Sequence, residues 1–138
     1  MSLKTDLIRD RFQEIQSSLE RLEQIGALPE ETFLADQDTL DVACYRLLVA
    51  IEAALQICFH VSAKKLYRVP QEYAECFAIL GKAGILSPDL SQSLGQMARF
   101  RNMLVHVYWK VDYRQVYAII NAHLDDLRAF VHAIGALL

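Results

Sequence analysis

A chain of 138 residues is the size of one domain, spanning 1–138, with length for a single core and too little for two independent ones. Hydrophobic residues make up 54% with only 5 Gly and 3 Pro, which excludes disorder and argues against a turn-dense all-β fold. The net charge of −3 excludes a general attraction to phosphate, so any nucleic-acid role must rest on a local basic surface.

Leu3, Leu7 and Ile8 alternate with Lys4, Asp6 and Arg9, an amphipathic opening that does not resemble a secretory signal. Ile8, Phe12, Ile15, Leu19, Leu22 and Ile25 then recur at intervals of three and four, the stripe of a long helix that Gly26 and Pro29 end. After a polar loop through Asp36, the positions Leu40, Ala43, Leu47, Ile51, Leu55 and Cys58 predict a second long helix running to about Arg68, where Pro70 forbids continuation. This helix is apolar over more than one face, which predicts a central helix or one that also meets a second chain. Its most apolar part, Leu47 to Val61, is interrupted by Glu52, Gln56 and His60, so no membrane span is expected.

Tyr73, Phe77 and Leu80 outline a short third helix broken at Gly81 and Gly84. Ser87 as N-cap, Pro88 at the first helical position and Asp89 at the positive dipole end open a fourth, with Leu90, Leu94 and Met97 inward. Asp112 with Gln115 resembles a capping box for a last helix that buries Val116, Ile119, Ile120, Leu124, Leu127, Val131 and Ile134. The expectation is an all-α, up-and-down bundle of about five helices. Cys44, Cys58 and Cys76 all fall in helices beside apolar neighbours, and Cys44 and Cys58 stand roughly 21 Å apart along one helix. They read as free thiols in a reducing, cytoplasmic setting.

Several chemistries are absent from the pattern. No Glu is followed three residues later by His, no two of the four histidines have i, i+4 spacing, and no two cysteines are close enough for a zinc knuckle. Neither a metal nor a cofactor is expected. Nucleophile elbows and phosphate-cradling glycine loops are missing too. What remains is residues 99–114, where Arg99, Arg101, Lys110 and Arg114 face the single acid Asp112. Lys64, Lys65 and Arg68 form a second basic group at the end of the second long helix, which for the lysines is explained by the negative end of the helix dipole.

Arg101, Asn102 and His106 sit together near the predicted end of the fourth helix. An arginine offers a permanently charged fork for phosphate and a histidine exchanges protons near neutral pH, so the pair contains the minimal parts of an RNA-cleaving site. Five residues along an unbroken helix rotate roughly 140°, so Arg101 and His106 would diverge unless the helix ends between them or the pairing is between two chains. Without that, the pair is a surface arginine and a packed histidine.

Arg101-Asn102-Met103-Leu104-Val105-His106-Val107-Tyr108-Trp109 resembles the Arg-x4-His-x-Tyr signature of HepT-like toxins, members of the HEPN superfamily of ribonucleases. Val49-Ala50-Ile51-Glu52-Ala53-Ala54, Val69-Pro70-Gln71-Glu72-Tyr73, Phe77-Ala78-Ile79-Leu80, Ala83-Gly84-Ile85-Leu86 and Leu124-Asp125-Asp126-Leu127 resemble the family pattern in its usual order. The resemblance implies a HEPN-like helical bundle that dimerises, placing two Arg-x4-His motifs at one RNA-binding cleft. It implies a metal-independent endoribonuclease toxin acting on cellular RNA, with transfer RNA among the targets. Its implied partner is an MNT-type nucleotidyltransferase antitoxin that transfers AMP to the motif tyrosine, here Tyr108. Arg101 and His106 carry over as catalytic residues and Asn102 as their polar neighbour, while Arg99, Lys110 and Arg114 are read as RNA contacts from their concentrated charge. Glu52, a carboxylate in an apolar stretch, needs a partner if buried, and Arg101 is one candidate, while an exposed Glu52 is the plain alternative. The competing functional reading is a non-cleaving HEPN module that holds a nucleotide or serves the nucleotidyltransferase as partner.

Overall fold

The computed structural model of the chain describes residues 3–106 and 111–138. They form seven helices: α1 Thr5–Gly26, α2 Glu30–Ala35, α3 Gln37–Lys65, α4 Tyr73–Lys82, α5 Pro88–His106, α6 Tyr113–Ala122 and α7 Leu124–Gly135. The all-helical bundle is as expected, and the two extra elements have local causes. Residues 30–35 make a short helix where a loop was predicted, because Phe33 is fully buried against the ring of Tyr117, with centroids 5.2 Å apart. The predicted last helix breaks at His123, whose φ of −125° and ψ of 3° leave the α-helical basin.

α3 is the centre of the bundle and packs against each of the other six helices. Its excess of apolar surface is thereby explained: Leu47, Ala50, Ile51, Ala54, Leu55, Ile57, Cys58 and Val61 are all buried, in one contiguous core. By length and composition α3 is also apolar enough to cross a membrane, contrary to expectation, with a mean hydropathy of 1.7 in its most apolar 18 residues; half of that stretch is buried inside the bundle. The helix stops at Lys65, short of Arg68. Tyr67 takes a left-handed φ of 55°, and the backbone N–H groups of Leu66 and Arg68 both donate to the Ser62 carbonyl, while the Ser62 hydroxyl donates to the Arg68 carbonyl at 2.8 Å.

The turn from α4 to α5 brings the site helix into place. Gly81 does not break α4 but lies within it, where a Cβ would stand 2.6 Å from Ser91 Oγ, so the missing side chain permits close approach of α5. Gly84 ends the helix with φ +80°, and the Ile85 and Gly84 N–H groups donate to the Leu80 and Gly81 carbonyls, a Schellman closure. Ser87 then accepts from the Leu90 N–H at 3.2 Å as the predicted cap of α5. At α6 the cap is simpler than expected: the Asp112 side chain accepts from the Arg114 N–H at 3.0 Å, without a reciprocal bond from Gln115 among the described residues.

Phe77 and Phe130 meet edge to face at 5.6 Å in the core, so Phe130→Ala is expected to cost about 3–5 kcal/mol, read from urea unfolding. The start of α1 is tied to α3 by the Lys4 N–H, which donates to His60 Nε2 at 2.9 Å. Partial burial, then the charges of Lys64 and Lys4, hold the His60 pKa below its ordinary 6.5. A depressed histidine favours folding in its neutral form, so this tether is present above 6.5 and is lost as pH falls from there through the folded value. NMR is expected to show His60 titrating below 6.5, with the Lys4 amide shifting in step.

Candidate active site

Glu52 lies on α3 between the buried Ile51 and Ala53, and Arg101 lies on α5 after the buried Phe100. Both are therefore drawn to the α3–α5 contact, where their side chains meet, with exposures of only 12% for Arg101 and 29% for Glu52. Nε and Nη2 of the guanidinium both engage Glu52 Oε1. Nη1 donates to Asn102 Oδ1 at 3.0 Å, and the guanidinium carbon lies 4.4 Å from the ring centroid of Tyr73. The carboxylate thus compensates a half-buried charge, and the aromatic face fixes the guanidinium plane.

Of the five guanidinium N–H bonds, three are engaged and two, one on each terminal nitrogen, have no partner among the described residues. A tethered, permanently charged group with two open donors is suited to an oxyanion of phosphate. Of the two readings of Glu52, the structure shows the paired one.

His106 is the last residue of α5 and is exposed. The helix runs unbroken from Arg101 through His106, so the two side chains project roughly 140° apart and no hydrogen bond joins them within one chain. The sequence motif therefore does not fold into a closed pair in the single chain. Arg99 on α5 and Arg114 on α6 are exposed, and no ion pair of either is found among the described residues. Tyr108 and Lys110, the expected modification site and an expected RNA contact, lie outside the described residues, as does Trp109.

Tyr73 is the participant that sequence reading missed. It was read as part of the inward stripe of α4, yet it is 39% exposed and stacks on Arg101. Nothing in the linear spacing of positions 73 and 101 signals that contact, because it depends on how the loop after Pro70 lays the start of α4 against α3. The three cysteines are free, with Cys58 and Cys76 buried and Cys44 half-buried. Burial, aided by Asp41, pushes the Cys44 thiol up to about 11, which makes it a poor nucleophile. Among the described residues no cluster of three His, Cys, Asp or Glu side chains could hold a metal.

The ribonuclease HepT-like family matches residues 15–134 of this chain. The mRNA nuclease HepT of Shewanella oneidensis is 25% identical over 131 residues, covering 95% of this chain and 98% of the relative. The tRNA nuclease HepT of Aphanizomenon flos-aquae is 26% identical over 132 residues, covering 96% and 90%. Among solved structures, the tri-AMPylated Shewanella oneidensis HEPN toxin in complex with an MNT antitoxin superposes with a TM-score of 0.87 at 25% identity, covering 99% of both chains. The cytosolic protein YutE of Bacillus subtilis shares the fold, with a TM-score of 0.86 at 18% identity over 99% of this chain and 91% of that one. With the match extending over nearly the whole bundle and both helices that carry the Glu52–Arg101 pair, this chain belongs to the HepT-like ribonuclease family.

Proposed function

We propose that the chain is an endoribonuclease toxin of a toxin–antitoxin module, cleaving RNA without a metal at a site completed by a second copy of itself. The observation that carries this reading is the Arg101 guanidinium, held by Glu52, Asn102 and Tyr73 with two N–H bonds unpartnered among the described residues, on the same helix as an exposed His106. His106 removes the proton of a ribose 2′-hydroxyl, and the oxygen attacks the adjacent phosphorus as the bond to the 5′-oxygen breaks. Arg101 stabilises the charge gathering on the phosphoryl oxygens. The departing 5′-oxygen takes its proton from a second histidine, and the products are a 2′,3′-cyclic phosphate and a 5′-hydroxyl.

The second histidine is the reason for the dimer. Each described chain offers one His106, directed away from its own Arg101, so a two-fold arrangement supplies both proton carriers and lets one copy's histidine face the other's arginine. Asn102 holds the guanidinium, and Arg99, Lys110 and Arg114 guide the polyanion to an otherwise acidic molecule. Transfer RNA is one substrate in this reading, in line with the name of the Aphanizomenon relative. An MNT antitoxin is the partner, as in the Shewanella complex, and AMP on Tyr108 would bring negative charge and bulk next to His106. The module acts in the cytoplasm, where three free thiols persist.

The divergence of Arg101 and His106 in one chain also suits a non-cleaving partner of the nucleotidyltransferase, and one experiment separates the two. RNA incubated with purified protein in chelator is expected to be cut, with His106→Ala folded and slower by about 10²–10⁴-fold. Retained cutting in a clean His106→Ala preparation overturns the assignment. Glu52→Gln, which removes the charge facing a half-buried guanidinium, is expected to lower stability by about 2 kcal/mol and cleavage by about tenfold or more, read from thermal melts and initial rates.

A further inference from the structure

An open groove of about 760 Å³ runs between the start of α1, the middle of α3 and the loop leading into α4. Two of its walls are Glu52 and Tyr73, the side chains that hold Arg101, so the groove begins beside the charged anchor. Phe59 and Pro70 give it an apolar side, and the rings of Phe59 and Tyr73 meet edge to face at 5.6 Å. Its polar groups are unequal. Gln56 is committed to the side chain of Arg11 on α1. Glu72 stands at the N-cap of α4 but makes no capping bond, and its carboxylate has no hydrogen-bond or ion-pair partner among the described residues.

Glu52 and Glu72 disfavour a phosphate in the groove itself, whereas an uncharged planar ring matches an aromatic and apolar wall. In RNA the base lies one sugar away from its phosphate, so a groove walled by two side chains that hold the phosphate anchor is within reach of that base. A carboxylate only accepts hydrogen bonds, and the match is bidentate for a base with two neighbouring N–H donors on its pairing edge. Guanine has two; adenine, cytosine and uracil have one each.

We propose that this groove is a guanine-accepting subsite for a nucleotide flanking the phosphate held by Arg101, with Glu72 reading the base edge and Phe59 and Tyr73 forming the aromatic wall. The inference rests on Arg101 being a phosphate anchor, and it concerns specificity, separately from cleavage. It is tested with labelled 2′-O-methyl hexauridylate and with the same oligomer carrying one central guanine, adenine or cytosine, none of which can react through a 2′-hydroxyl. The guanine oligomer is expected to bind about tenfold more tightly than the all-uridine one, and Glu72→Gln to bring the four to near parity while the circular dichroism spectrum stays unchanged. Tyr73→Leu weakens all four. Equal affinities for the wild-type protein, or a guanine preference that survives Glu72→Gln, overturn the subsite; equal affinities are also the result if a second copy or an antitoxin segment fills the groove. The matching 2′-hydroxyl RNAs in chelator then read the nuclease proposal by itself. Selective binding without cutting overturns catalysis and supports the subsite, and cutting without base selectivity does the reverse.

Discussion

The arrangement of the site depends on a guanidinium that the fold has half buried. Arg101 is drawn inward because its neighbours on α5, Ala98 and Phe100 among them, belong to the core. A charge so placed is tolerable only when compensated, and Glu52 reaches it from the central helix. The pair therefore acts in two directions. It fixes the rotation of α5 against α3, and it sets the angle at which a positive group looks out of the bundle. Asn102 and Tyr73 remove the remaining freedom of that group, one through a hydrogen bond in the plane and one by stacking on it. Preorganised charge of this kind needs no rearrangement when an anion arrives.

The two ends of the signature are supported unequally. Arg101 is gripped from three sides, whereas His106 stands exposed at the end of the same helix, without a hydrogen-bond or ion-pair partner among the described residues. For the proposed reaction this is a workable division of roles, because orienting a phosphate demands more constraint than exchanging a proton with solvent.

Much of this was legible in the sequence because it rests on periodicity. The stripes of α1, α3 and the two last helices, the Ser87 cap of α5 and the excess apolar surface of α3 follow from spacing and from a few end signals. The Glu52–Arg101 pair was accessible as a possibility, since a carboxylate in an apolar run requires a counter-charge. What spacing could not reveal were local departures governed by tertiary contact. Phe33 turned a presumed loop into helix by packing on Tyr117, His123 split a stripe that stays in phase across the break, and Gly81 was taken for a terminator when its role is to let α5 come close. Tyr73 lay hidden for the same reason, as the loop from 66 to 72 is shaped by Ser62 and the left-handed Tyr67 and carries no periodic signal.

The position of Glu52 in mid-α3 has a consequence for how such a chain can change in length. One residue inserted on either side of it within the helix would swing the carboxylate by about 100° relative to the core residues beyond the insertion, breaking either the packing or the grip on the arginine. The connection at 27–29 bears no such phase relation. Insertions and deletions that survive should therefore gather in such connections, leaving the span between Gln37 and Lys65 constant in residue count even where its side chains drift.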